Sequence, residues 1–364
     1  MADEIRGEAR GTAPVPLSIL DLAPVGTGYT AAEALATTAA AARLAEELGY
    51  HRFWVAEHHS MPGIASTTPA VLLANLAAHT GRIRLGSGGV MLPNHAPLVV
   101  AEQFGTLEAL APGRVDLGLG RAPGTDQGTA LALRQSAERL HVDDFPRQVA
   151  ELSGFLDGDW PEGHPYERIH AVPGPVQRRA DGGVGEHHRP PLWLLGSSDY
   201  SARLAAELGL PFAFAHHFSA DNTVPALRIY KQNFRPSAVL DEPYALIGVT
   251  AFAAPTAEEA RRAVASLGLS MLKLRTGRPG LVPSPEEAEA WPYTPQERNF
   301  VDAWLSNVVH GTPEEVRDGL DALVKRTGAD ELMITSTVHG REARLASYRL
   351  IAEEYGITPA ASSG

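Results

Sequence analysis

The sequence predicts a (β/α)8 TIM barrel with insertions after strands 4 and 7. Eight short stretches rich in Leu, Val and Ile alternate with helical segments, and titratable or glycine-rich residues gather where those stretches end. That alternation is the sequence form of a parallel barrel, whose strand ends build the site. The expected strands are residues 17–22, 52–57, 83–92, 114–121, 191–196, 211–216, 244–253 and 330–336. A minimal barrel takes about 250 residues, which leaves roughly 110 of this chain for excursions. The whole chain, 1–364, is expected as one domain.

Residues 1–15 are polar and are expected as a flexible N-terminal extension. The first strand closes on Asp21, which either lines the barrel mouth or caps a turn with Pro24. Helix starts follow at Thr30 with Glu33, Thr256 with Glu259, Ser284 with Glu287 and Thr312 with Glu315, each at capping-box spacing. Gly49, Gly209 and Gly328 stand where C-terminal caps belong.

The second strand, Phe53-Trp-Val-Ala, ends in Glu57, His58 and His59. A carboxylate and two imidazoles at a strand's carboxyl end make this the first candidate for catalysis. Adjacent histidines on a strand point to opposite faces, so only one of the pair is expected to reach the centre. Strands three and four carry glycines, among them Gly86, Gly88, Gly89, Gly118 and Gly120, and a strand glycine marks a ligand or another backbone lying close. Asn94 and His95 follow on the same rim, where Asn94 is expected as an N-cap.

The insertion 122–190 is expected to hold one helix at about 143–157 and then a Pro/Gly/His-rich run. Gly118-Leu-Gly120 with Gly124 lacks both the third glycine and the following helix of a dinucleotide fingerprint, so that reading is set aside. Strand five runs through Gly196-Ser197-Ser198 into a helix containing Ser201. Hydroxyls and free amides at a helix start suit a phosphate, with Arg121 nearby; an ordinary N-cap serine is the competing account. His216 and His217 end strand six and, with Glu57 and His58, form the alternative of a metal-dependent hydrolase. Residues 275–296, rich in Pro and Gly, are expected as a lid.

Composition narrows the classes. With 44% hydrophobic and 20% charged residues the chain has material for a core, and a net charge of −12 with scattered basic residues argues against nucleic acid or membrane as partner. There is no cysteine, which removes disulfides, thiolate metal sites and a cysteine nucleophile. No apolar run has spanning length and no signal-peptide core is seen, so a cytoplasmic location is expected.

Taken together and in order, Phe53-Trp-Val-Ala-Glu-His-His, Gly86-Ser-Gly-Gly-Val-Met-Leu-Pro, Gly113-Arg-Val-Asp-Leu-Gly-Leu-Gly-Arg121 and Pro191-Leu-Trp-Leu-Leu-Gly-Ser-Ser resemble the bacterial luciferase-like monooxygenases. The opening Ser18-Ile-Leu-Asp-Leu-Ala-Pro-Val is similar to the subgroup near the luciferases themselves, which includes tailoring oxygenases of actinomycete aromatic polyketide pathways such as mensacarcin. The resemblance implies a homodimeric barrel that takes reduced FMN from a separate flavin reductase and oxygenates a small-molecule substrate with O2 through a C4a-hydroperoxyflavin. It implies His58, beside Glu57, as the catalytic acid/base; an unperturbed imidazole titrates at about 6.5, a value suited to managing a proton. It also implies Gly88 and Gly89 beneath the flavin ring, joined by a cis peptide, and Arg121, Gly196, Ser197, Ser198 and Ser201 around the phosphate. Asp21, His95 and His216 are expected in the substrate pocket, and no metal is expected. Luciferase differs at Gly88-Gly89, at Gly120 and near His216, so a bulky or aromatic secondary metabolite is favoured over an aldehyde. A deazaflavin hydride-transfer enzyme on the same fold and a non-catalytic flavin-binding protein are the remaining alternatives.

Overall fold

Eight parallel strands close into a ring. In the computed structural model, which describes residues 2–122, 125–134, 144–174 and 189–359, they are β1 Leu17–Asp21, β2 Arg52–Val55, β3 Arg84–Met91, β4 Val115–Gly120, β5 Leu192–Gly196, β6 Phe212–Phe214, β7 Ala245–Ala253 and β9 Glu331–Thr335. Successive strands pair in parallel, and β6–β7, β7–β9 and β9–β1 complete the closure. The expected strands are all present, each somewhat shorter. A ninth, β8 Val309–Gly311, was not expected; it runs parallel to the far end of β7, at Ala251–Ala253, outside the ring. Three residues, two of them partly exposed, give no periodicity to read.

Side-chain alternation along the barrel strands gives a core on each face of the sheet. Outward residues such as Ile19, Phe53, Val55, Leu117 and Ile334 pack beneath the helices. Inward residues Leu20, Trp54, Trp193, Leu246 and Met333 fill the barrel, with Trp54 edge-on to Trp193 at 5.2 Å. Below them the barrel floor is charged. Fully buried Arg52 reaches Asp116 at 2.8 Å and Glu331 at 2.8 Å, and Ser18 and Tyr244 also donate to Glu331. Burial opposes the charge on Asp116, but Arg84 and Arg52 outweigh it and hold its pKa below the ordinary value.

The expected flexible extension is instead part of this floor. A helical turn at Ala2–Ile5 buries Ile5 completely, its carbonyl accepts from Arg52 Nη2 at 2.6 Å, and the Gly7 amide donates to the Tyr244 hydroxyl at 3.3 Å. A polar composition concealed a single apolar anchor.

Helix caps follow the sequence closely. Thr30, Ser284 and Thr312 form complete capping boxes, Thr256 forms its half, and Gly49, Gly209 and Gly328 all adopt the left-handed conformation. Thr294 with Glu297 makes a further box. Among its described residues the first insertion holds two helices, Gln127–Arg134 and Phe145–Asp157, where one was expected.

The second insertion is larger than expected and more ordered. It runs from the helix Ala257–Arg275 through Pro285–Ala290 and Pro295–Leu305 to β8, and the shorter helices pack on the long one. Within the expected lid, Val282 is buried and exchanges backbone hydrogen bonds with Val25 and Thr27, so only about Gly277–Leu281 remains a loop over the barrel mouth.

Candidate functional site

Two chambers meet at the carboxyl end of the barrel. The inner one, about 250 Å³, lies between the strand ends, and the outer one, about 710 Å³, is roofed by the helix Ala257–Arg275 and the Gly277–Leu281 loop. Leu22, His58, Ala122, His217 and Phe218 line both and so mark the junction.

The inner chamber is an apolar slot with a polar end. Leu20, Trp54, Leu195, Ala213, Leu246 and Met333 supply its walls. At the polar end Arg121, Gly196, Ser197, Ser198 and Ser201 line the same chamber. The helix Asp199–Leu208 starts there, and Ser198, its N-cap residue, makes no side-chain capping bond. The Arg121 guanidinium lies 4.2 Å above the Tyr200 ring, which fixes it across the helix start. Hydroxyls, a cation and a helix N-terminus on one wall form a seat for an anion.

Gly196 is required there by a neighbour: a Cβ would overlap the Ser201 side chain. Gly196→Ala is therefore expected to push Ser201 and the helix start away and weaken anion binding at this wall, whereas Gly196→Ala with Ser201→Gly recovers part of the loss. Phosphate or FMN titration of both variants checks this, and equal affinity of the single variant and the wild type would contradict it.

Of the two reasons expected for the glycines of β3 and β4, a ligand or another backbone lying close, the second holds at Gly89 and Gly118, where a neighbouring strand's backbone is in the way, and side chains account for others. A Cβ at Gly86 would strike the Trp54 indole, at Gly118 the Ser87 carbonyl, and at Gly120 the Met91 Sδ, 2.6 Å away. Close strand packing explains these positions without a ligand, although Gly88 and Gly120 do line the inner chamber. The Gly88–Gly89 peptide is cis, as the resemblance implied.

The titratable cluster sorts itself by contact. β2 stops at Val55, so Glu57, His58 and His59 lie on the following loop and strand alternation does not govern them. His58 lines both chambers and His59 the outer one. Glu57 lines neither. Its buried carboxylate accepts from the Met91 amide at 2.9 Å and from Asn94 Nδ2 at 3.2 Å, and binds His59 Nε2 at 2.9 Å and His95 Nε2 at 3.0 Å. Burial raises this carboxyl, but the bonds from His95, His59 and Met91 outweigh it and hold the pKa below its ordinary value. Glu57 thus stands as a positioning residue, and Asn94 serves it rather than capping a helix.

Three expected pocket residues lie elsewhere. Asp21 is buried, taking hydrogen bonds from the Ala23 amide and Thr38 Oγ1, both at 2.7 Å, which makes it a turn and packing residue. His95 is spent on Glu57. His216 is buried against Thr223 Oγ1 at 2.7 Å, and its neighbour His217 faces the chambers instead. The convergence of Glu57, His58 and His216 that a metal centre would need does not occur, and among the described residues no group of three His, Asp or Glu side chains is placed to hold a metal.

His217 is the residue that sequence reasoning undervalued. Its Nδ1 donates to the Gly248 carbonyl at 2.9 Å, which leaves Nε2 as an acceptor. Burial pushes its pKa down to about 4; the Gly248 bond opposes this and charge on His58 adds to it. His217 is therefore neutral near pH 7. That electrostatic coupling sets the two imidazoles together at the junction.

A sequence profile of luciferase-like monooxygenases matches residues 15–331. The chain belongs to the luciferase-like monooxygenase family. Among its luciferase-like relatives, one from Escherichia coli strain K12, itself called a luciferase-like monooxygenase, is 47% identical over 92% of this chain and 96% of that protein. The N-acetyl-S-alkylcysteine monooxygenase of Bacillus subtilis is 38% identical over 93% and 98%. The crystal structure of apo-MsnO8 superposes with a TM-score of 0.82 at 39% identity, covering 95% of this chain and 99% of that one. This luciferase-like protein is a flavin-dependent monooxygenase. Among its described residues, no helix is long and apolar enough to cross a membrane.

Proposed function

We propose that the protein is an FMNH2- and O2-dependent two-component monooxygenase acting on a bulky, largely apolar organic substrate. The observation that carries this is the paired arrangement of chambers: an anion-seated apolar slot opening, at two imidazoles, onto a second and larger cavity. Arg121, Ser197, Ser198 and Ser201 would hold the FMN phosphate, and Leu20, Trp54, Leu195 and Met333 line the apolar space that would take the rest of the flavin. Reduced flavin, when bound, supplies the electrons that activate dioxygen. A separate reductase provides it, and the working protein is a homodimer.

The chain's own residues do the rest. His58 holds or delivers a proton at the junction, on an imidazole oriented by its loop, whose His58 amide bonds the Ser66 carbonyl at 3.0 Å. Neutral His217 presents Nε2 as an acceptor beside it. The Gly277–Leu281 loop closes over the outer chamber and excludes water, which would otherwise divert the activated oxygen. Phe218, 59% exposed and 4.2 Å from the His217 ring, provides an apolar surface for substrate at the same place. An S-alkyl thioether like the one named for the Bacillus subtilis relative, or an electron-rich aromatic metabolite, suits such a chamber.

Anaerobic titration with FMNH2 and with a reduced deazaflavin, followed by admission of oxygen, tests the reading. Tight FMNH2 binding and oxygen-dependent product are expected; preference for the deazaflavin and hydride transfer without oxygen would replace it. Arg121→Ala is expected to lower FMNH2 affinity by about tenfold to a hundredfold, the worth of a charge-assisted hydrogen bond. Undiminished affinity would remove Arg121 from the phosphate seat.

A further inference from the structure

Four methionines follow the first residue, Met61, Met91, Met271 and Met333, and every one of them lines a chamber. Met91 and Met333 belong to the inner chamber, Met61 and Met271 to the outer one. The clusters packed beneath the helices, by contrast, are built from aliphatic and aromatic residues and hold no methionine among the described residues. Methionine ordinarily serves as a flexible filler of irregular cores. Here it is kept for the chamber walls, in a chain that has no cysteine to offer as another sulfur.

Two of the four stand close to His58 by separate observations. Met61 follows it by three residues, on the loop closed by the bond from the His58 amide to the Ser66 carbonyl, and the Met61 carbonyl accepts from the Ile64 amide at 3.0 Å. Three residues of chain reach at most about 11 Å, and this loop is turned. Met91 ends β3, and its amide donates at 2.9 Å to the carboxylate of Glu57, the residue before His58. Its sulfur fills the space beside Gly120, where a Cβ would come within 2.6 Å of Sδ. Both methionines are partly exposed, so each chamber has a thioether on the His58 side. Met271 belongs instead to the roofing helix Ala257–Arg275, and Met333, 2% exposed, to the barrel interior.

We propose that Met61 and Met91 are sites of self-oxygenation: with reduced flavin bound and no substrate in the outer chamber, their sulfurs take the activated oxygen. This rests on the monooxygenase reading above. One atom of O2 bonds to a lone pair of the sulfur, whose two C–S bonds stay intact, and the other leaves as water with the two hydrogens of the reduced flavin. Thioether, FMNH2 and O2 thus give sulfoxide, FMN and water, with sulfur and flavin oxidised and dioxygen reduced. His58, at the junction, can deliver the proton that the departing oxygen needs. A sulfoxide is polar where the thioether was apolar, and methionine sulfoxide reductases reverse it. Turnover without substrate therefore marks the chamber walls and weakens their hold on an apolar substrate until the mark is removed.

The test supplies the FMNH2-loaded protein with isotope-labelled dioxygen, in the presence of catalase to destroy free hydrogen peroxide, and reads each methionine by peptide mass. Label at Met61 and Met91 is expected to exceed that at Met271 and Met333 by at least about tenfold, because oxygen transfer needs atoms within about 3–3.5 Å. Benzyl methyl sulfide, a competing thioether, is expected to lower the label and to become labelled sulfoxide itself. Met61→Leu should lose the first label and keep the second, and the two sulfoxide reductases together should remove both. Absence of label from either residue, label that appears only without catalase, or label spread evenly over the four methionines would each overturn the proposal. Labelled benzyl methyl sulfoxide beside unlabelled protein would overturn it and leave the monooxygenase reading standing. FMNH2 that stays unbound in the same samples, with neither label nor sulfoxide, would overturn that reading as well.

Discussion

His58→Ala is expected to keep flavin affinity close to that of the wild type while product formed per FMNH2 oxidised falls by about 10²- to 10⁴-fold, the range of general acid/base contributions. The separation follows from the geometry. The anion seat is built from β4, β5 and the helix Asp199–Leu208, and His58 stands at the junction, on the loop after β2. Its loss leaves the seat intact and leaves reactive oxygen beside a neutral His217, whose pKa of about 4 makes it a poor proton donor near neutrality. Oxygen consumption with hydrogen peroxide release should then replace substrate oxygenation. Unchanged product yield would reduce His58 to packing, and collapse of FMN binding before any change in yield would make it a cofactor contact.

The second large effect concerns stability. Arg52→Met is expected to cost about 3–5 kcal/mol, because it removes the shared cation from a fully buried network. Asp116 keeps Arg84, at 2.7 Å, whereas Glu331 keeps only the hydroxyls of Ser18 and Tyr244. The pH dependence has a definite sign. In the native protein Asp116 has a lowered pKa, so its contribution is present above the unfolded value and is lost as pH falls through the folded one. Burial already raises Glu331, and without Arg52 it rises further; a group so raised destabilises the fold as pH climbs from the acid range. The gap between variant and wild type should therefore narrow between pH 7 and pH 5. Urea midpoints at the two values measure it, and an equal gap at both would show that lost packing, not charge, dominates.

The ring of strands was legible because parallel barrel strands are continuous apolar runs bounded by capped helices, and the Gly196–Ser201 seat because a strand, a glycine and hydroxyls before a helix have a local chemical meaning. What sequence order could not settle was the direction of each side chain beyond the strand ends. Glu57 looked catalytic from its neighbours, yet the end of β3 and the turn after it, at Met91, Asn94 and His95, supply groups that bind its carboxylate. His216 and His217 are indistinguishable in a list of residues; one carbonyl, that of Gly248, selects His217. Asp21 reads equally well as pocket or turn until the Ala23 amide is seen to claim it. The glycines of β3 and β4 left two accounts open, because proximity of Trp54, the Ser87 backbone and Met91 leaves the same trace in sequence as proximity of a ligand.

The barrel floor also sets an order for biosynthesis. Arg52 leaves the ribosome long before Glu331, and the turn at Ile5 that covers it has to wait for Tyr244, 237 residues after Gly7. A nascent chain that has not reached β9 therefore carries an unmatched guanidinium and an open sheet edge, a state prone to aggregation and dependent on chaperone shelter. Fragments ending before Glu331 should gather in the insoluble fraction when translated, and the first residues, made earliest, should be among the last to acquire protection from protease.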